Sequence, residues 1–151
     1  MDSVLERLNS LTLENCEDFC PNFSYGKVIK VYDGDTITVG TYLSNSNIAY
    51  QFQVRLMGVD TPELRTRDKI EKQAGLFVRD RLRELLMEQI VKIDIEGMDK
   101  YGRILGNIYV SNVGDDNTTY LHVNQWLLDN NYAYQYQGKT KLDKDWSHLV
   151  E

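Results

Sequence analysis

Three short runs of alternating apolar and polar residues, then one long helical period, then two more alternating runs limit this chain to very few architectures. Lys27–Tyr32 reads as a strand, Asp33-Gly34 as a turn, and Thr36–Val39 as the returning strand. Ser44–Asn47 is polar and turn-like, and Ala49–Leu56 alternates with period two as a third strand. Ile70, Ala74, Phe77, Val78, Leu82, Leu85 and Leu86 then recur at helical spacing, which predicts an amphipathic helix of about 17 residues. Ile90–Ile95 and Ile104–Val110 are the fourth and fifth strands. Leu121–Asn130 reads as a second helix with Asn131 as a left-handed residue just past its end, and 142–150 as a short third helix. Five strands with a helix between the third and fourth make the OB arrangement. The expected fold is therefore α+β: a five-stranded OB-type β-barrel with about three packed α-helices.

With 151 residues, one domain is expected, preceded by a lead-in over 1–24 that is partly helical or flexible; the domain itself runs over 25–151. No stretch approaches the ~20 apolar residues of a membrane-spanning helix. The first ten residues lack a basic region followed by an apolar one, so no secretory signal is expected and the location reads as intracellular. Cys16 and Cys20, with no histidine near, are too few for a zinc site and read as free thiols, with a local disulfide as the alternative. The sequons at Asn22 and Asn117 then read as chance matches. The net charge of −6 runs against phosphate binding, although Arg65, Arg67, Lys69, Lys72, Arg79, Arg81 and Arg83 crowd into one stretch.

The two histidines, His122 and His148, stand beside no acidic cluster, which leaves a Ser/His/Asp triad or a histidine-rich zinc site with little support. Three acidic or basic motifs remain. Asp33-Gly34-Asp35 is a hairpin turn at its plainest, or a turn that projects Asp35 as a hard oxygen ligand. Asp60-Thr61-Pro62-Glu63 reads either as a helix capping box or as a carboxylate ligand, a backbone carbonyl ligand and a base held by a proline. Arg55 and Arg103 are solvated charges at strand ends, or a pair of guanidiniums gripping a phosphate in bidentate fashion.

Taken together and in order, these segments resemble the thermonuclease (staphylococcal nuclease-like) family over roughly residues 26–146. Arg55 through Glu63 resembles its Arg-x-x-x-x-Asp-Thr-Pro-Glu signature. Asp33-Gly34-Asp35-Thr36 is similar to its Asp-Gly-Asp-Thr, and Asp99-Lys100-Tyr101-Gly102-Arg103 to its Asp-Lys-Tyr-Gly-Arg. Val123-Asn124 through Tyr132-Ala133 resembles its second helix, and Ala133-Tyr134-Gln135-Tyr136 its Ala-Tyr-x-Tyr. The resemblance implies a Ca²⁺-dependent nuclease acting on DNA and RNA, preferably single-stranded, as a monomer with no membrane partner, breaking the 5′ P–O bond to leave 3′-phosphates. It implies Asp35, Asp60 and the Thr61 carbonyl as Ca²⁺ ligands, Arg55, Glu63 and Arg103 as catalytic, and Lys100, Tyr101, Tyr134 and Tyr136 as substrate-binding, with Asp33 acting through water. The loop after Glu63 and the segment after Tyr136 are shorter than the family's pattern, so Lys69 and Lys72 are only candidates for a substrate-contacting loop lysine. The rival readings are an OB module that binds nucleic acid or protein without cleaving, and a Ca²⁺-binding structural domain.

Overall fold

The computed structural model describes residues 3–111, 119–136 and 144–150. Strands β1 (Tyr25–Val31), β2 (Thr36–Tyr42) and β3 (Ala49–Leu56) come first. A two-residue strand β4 (Val59–Asp60) and helix α2 (Lys69–Leu86) follow, preceded far upstream by α1 (Ser3–Asn9). Next come β5 (Ile90–Met98), β6 (Ile104–Ser111), β7 (Tyr120–His122), α3 (Val123–Asp129), β8 (Tyr134–Gln135) and a 3-10 turn over Ser147–Leu149.

Five of these strands close a barrel. The sheet runs β3-β2-β1-β5-β6, and β3 also pairs with β6. That closing pair is parallel, with Val54 opposite Ile104 and Arg55 opposite Leu105, while the other four pairings are antiparallel. Val28, Val31, Ile37, Val39, Val54, Leu56, Val91, Ile93, Ile104 and Ile108 are buried; the inward residues follow the alternation in β2, β3, β5 and β6, while a register shift between Val28 and Lys30 lets both Val28 and Val31 face inward in β1. Helix α2 adds Val78, Leu82 and Leu86 to this core, and α3 adds Val123 and Leu127. Each fully buried aliphatic side chain of this kind contributes about 1.5–3 kcal/mol relative to exposure.

Helix α2 starts at Lys69 because the Asp68 carboxylate caps it, accepting from the N–H groups of Ile70 and Glu71. Asp60 and Glu63 therefore do not form the capping box that their spacing allows; Asp60 lies in β4, nine residues before the helix. Helix α3 begins at Val123 rather than Leu121, because Leu121 and His122 pair with Val110 and Tyr109 as β7. Asn131 takes φ = 59°, the left-handed residue expected after that helix.

The third helix expected over 142–150 is, where described, only the turn Ser147–Leu149; its first residues lie outside the described part of the chain, as do Asn117 of the second sequon and the short segment 137–143 after Tyr136. In the lead-in, α1 buries no side chain, and Cys16 and Cys20 are free and exposed. Among the described residues no helix is long and apolar enough to cross a membrane.

Candidate active site

The barrel's closing register assembles the site. In β2–β3 pairing Thr36 lies opposite Arg55, and in β3–β6 pairing Arg55 lies opposite Leu105. Arg55 thus sits between the strand that starts just after Asp35 and the strand that starts just after Arg103. A cleft of about 800 Å³ opens there, lined by Asp33, Asp35, Arg55, Glu63, Asp99, Lys100, Tyr101, Arg103 and Tyr136 with apolar neighbours. Asp33 and Asp35 therefore line the cleft as well as making the turn, and neither arginine is a freely solvated strand-end charge.

Asp35 is buried, and each of its oxygens has a hydroxyl donor. Thr36 Oγ1 donates to Oδ1 and Thr61 Oγ1 to Oδ2, both at 3.0 Å. The turn before it is shaped by Asp33, whose Oδ1 accepts the N–H groups of Asp35 at 3.1 Å and Thr36 at 2.9 Å. Gly34 is required by close approach: a Cβ there would stand 2.7 Å from Val78 Cγ1 and 2.9 Å from Thr61 Cβ. The loop is therefore pressed against both α2 and the Asp60–Glu63 segment.

Arg55 is held by three acceptors. Its Nη1 donates to the Leu56 carbonyl at 2.6 Å and its Nη2 to the Val59 carbonyl at 2.9 Å, and Nη2 lies 3.5 Å from Asp35 Oδ2. The Tyr136 ring covers it, 5.7 Å from ring centroid to Cζ. Arg103 is clasped by Asp99, which accepts from its backbone N–H at 2.9 Å and from Nε at 2.6 Å, while also taking the Tyr101 N–H at 2.8 Å. Lys100 Nζ and Arg103 Cζ both lie over the exposed Tyr101 ring, at 5.3 and 5.6 Å.

Three of the residues singled out from the sequence stand elsewhere or deeper. Tyr134 does not line the cleft; its hydroxyl donates to the Asp145 carbonyl at 2.7 Å, its ring packs on Trp146, and it borders a second pocket with Asn131, Ala133 and His148. Asp60 and Thr61 are buried behind the cleft wall, in β4 and just beyond it. His122 and His148 hydrogen-bond to Asn107 and to the Asn131 carbonyl, in packing roles away from the acids.

The acidic corner crowds its carboxyls together. Burial, then the neighbouring charge of Asp35, pushes the Asp33 carboxyl up to about 7. Asp35 and Asp60 are themselves nearly fully buried. Buried carboxylates in excess of cations are costly unless compensated, and hard oxygen donors suit a hard divalent ion. Among the described residues there is no group of three or more His, Cys, Asp or Glu arranged to hold a metal ion. The donor set still fits an ion that takes two carboxylates, a backbone oxygen and water from solvent or substrate.

Asn124 escapes sequence reasoning altogether. Buried in the first turn of α3, it accepts from the Ile108 N–H at 3.0 Å and donates to the Met57 carbonyl at 2.9 Å and the Gly106 carbonyl at 3.2 Å. It ties the turn between β3 and β4, whose carbonyls hold Arg55, to the barrel. No spacing rule marks a lone asparagine in a helix as such a brace.

A family model described as "Staphylococcal nuclease homologue" matches residues 53–150 of this chain. The chain belongs to the staphylococcal nuclease homologue family. It is 34% identical to a protein named micrococcal nuclease from Shigella flexneri, over 76% of this chain and 60% of that one. It is 30% identical to an uncharacterised Methanocaldococcus jannaschii protein, over 83% of this chain and 65% of the other. An uncharacterised endonuclease of Escherichia coli shares 29% identity over 75% of this chain and 61% of its own length. The chain thus spans about three fifths of the length of these curated relatives. The OB-type barrel with its helices is the fold this family membership leads one to expect.

Proposed function

We propose that this chain is a Ca²⁺-dependent nuclease that hydrolyses phosphodiester bonds of DNA and RNA, preferring single strands. The observation that carries the reading is the convergence of Asp35, Arg55, Glu63 and Arg103 on one cleft. Names of relatives as nuclease and endonuclease point the same way.

Asp35, Asp60 and the Thr61 carbonyl are the groups that would hold the ion. When bound, Ca²⁺ supplies positive charge against the charge that develops on the phosphate oxygens. Arg55 and Arg103 grip the equatorial oxygens with planar forks, each contributing about 2–4 kcal/mol in the transition state on the scale of a lost oxyanion donor. To turn toward a phosphate, Arg103 keeps its Asp99 clasp through Nε and presents its remaining N–H groups. Glu63 orients the attacking water and takes its proton, worth about 10²–10⁴-fold. The attack displaces the 5′ oxygen and leaves a 3′-phosphate. Exposed Tyr101 beside Lys100, and Tyr136 over Arg55, offer ring faces to unpaired bases, which supports the single-strand preference. Tyr134 would act by fixing the segment that carries Tyr136 rather than by touching substrate.

The free thiols at Cys16 and Cys20 fit a reducing, intracellular setting, and the domain would span 25–151 with 1–24 as its lead-in.

The test is cleavage of single-stranded DNA and RNA oligonucleotides with Ca²⁺, against EDTA, with end-group analysis of the products. Chelator-sensitive cleavage leaving 3′-phosphates is expected, and Asp60→Ala should abolish it. Binding without cleavage would make the chain a nucleic-acid-binding module instead.

A further inference from the structure

Asp68-Lys69-Ile70-Glu71 at the start of α2 has the spacing of a capping box. In that motif the glutamate reaches back to the N–H of the capping residue. Here it does not. The Asp68 N–H is taken by Thr66 Oγ1 at 3.1 Å, and the Glu71 carboxylate accepts instead from the backbone N–H of Glu63, at 3.0 Å through Oε2. One helical turn later, Gly75 is closed in by the same segment. A Cβ there would lie 3.0 Å from the Glu63 carbonyl oxygen, 3.1 Å from that of Pro62, and 2.9 Å from Leu64 Cδ2. Helix α2 therefore grips the Glu63 peptide on both sides, by a charge-assisted hydrogen bond to its N–H and by close contact at its C=O.

The rest of the segment is held from the barrel: Thr61 Oγ1 bonds Asp35, and β4 pairs with β8. Glu63 follows these anchors in a loop that runs without regular structure to Asp68. Without Glu71 its backbone would lose the hydrogen bond that ties its N–H to helix α2. A base displaced by even 1 Å loses much of its effect. From the diverted cap and the close glycine contact, we infer that Glu71 is a positioning residue that fixes Glu63 for proton abstraction. This inference rests on the proposed nuclease reading, in which Glu63 is the base.

Glu71→Ala removes the acceptor, whereas Glu71→Gln keeps an oxygen able to accept the same N–H. In Ca²⁺-supported cleavage, Glu71→Ala should lower kcat about tenfold with KM and the Ca²⁺ Kd within twofold of wild type, and Glu71→Gln should restore most of kcat. Amide exchange read by NMR should show the Glu63 N–H losing protection in Glu71→Ala and keeping it in Glu71→Gln, whether or not the protein cleaves. Equal kcat in wild type and Glu71→Ala, or an equal drop in both variants, would overturn the inference. So would an unchanged Glu63 exchange rate in Glu71→Ala. A wild type that never cleaves, with Glu63 exchange still dependent on Glu71, would instead defeat the nuclease reading and leave the tether standing.

Discussion

The guanidinium of Arg55 has acceptors at the Leu56 and Val59 carbonyls and at Asp35, a set that a planar fork can reach and an ammonium cannot. Arg55→Lys keeps the charge and loses that geometry. It should cut turnover by about 10²-fold or more on the scale of a lost transition-state donor, measured as initial cleavage rates on folded protein; a near wild-type rate would remove Arg55 from the phosphate grip. Arg103 depends on Asp99. Burial alone would raise the Asp99 carboxyl, but the Arg103 backbone N–H, the Arg103 side chain and the Tyr101 N–H together hold it below the usual carboxylate range. A depressed folded-state value means the stabilisation is present at neutral pH and is lost as pH falls through that value, below about 3.8. The melting-temperature gap between wild type and Asp99→Asn should therefore be open at pH 7 and begin to close only as pH falls below about 3.8. A gap independent of pH would show that the Asp99 charge does not matter to the clasp.

At the level of elements, β1, β2, β3, β5, β6 and α2 were legible because each buries a continuous face, and burial imposes a period of two or of 3.6. The two- and three-residue strands β4, β7 and β8 carry no such period. They exist only because tertiary contacts bring partners alongside, and one of them moved the expected start of α3 by two residues. The charged lining of the cleft at Asp33-Gly34-Asp35 and Asp99–Arg103 was legible only through the family resemblance, because each motif alone also reads as a turn or a solvated charge, and a neutral side chain that braces the backbone was illegible. Asn124 is that case, linking α3 to both the β3–β4 turn and β6. Asn124→Ala strands the buried Ile108 N–H and the Met57 carbonyl, while the Gly106 carbonyl keeps the Met57 N–H, which should cost about 2–4 kcal/mol. For a chain of this size that is a fall of order 10 °C in Tm, read by thermal melts. A loss under 2 °C would mean that water or a neighbour replaces the amide and that the turn needs no brace.

On the scale of the whole molecule, a net charge of −6 can coexist with the proposed phosphate grip because the cations that would make it gather at one barrel end. The parallel β3–β6 closure sets Arg55 beside the start of β6, so Arg103 and Lys100 join it at one barrel end. Elsewhere several basic residues are matched by acids: Arg79 and Arg83 lie near Asp80, Arg81 pairs with Glu84, and Lys27 with Glu88. A strand bound by this protein should thus meet three cations gathered in the cleft at one barrel end, beside the carboxyls of Asp33, Asp35, Glu63 and Asp99. Among the described residues three cations line that cleft, Arg55, Lys100 and Arg103. Each phosphate neutralised on a single strand adds about −0.7 to the slope of log K against log salt, so the slope should be about −2. Fluorescence anisotropy with a labelled single-stranded oligonucleotide, using Glu63→Gln at fixed Ca²⁺ so that substrate survives, would measure it. Arg103→Gln should make the slope shallower by about 0.7. A slope of about −4 or steeper would instead show that exposed cations outside the cleft, such as Arg65, Arg67, Lys69 and Lys72 near the start of α2, carry the strand, and that the acidic surface does not confine binding to the barrel end.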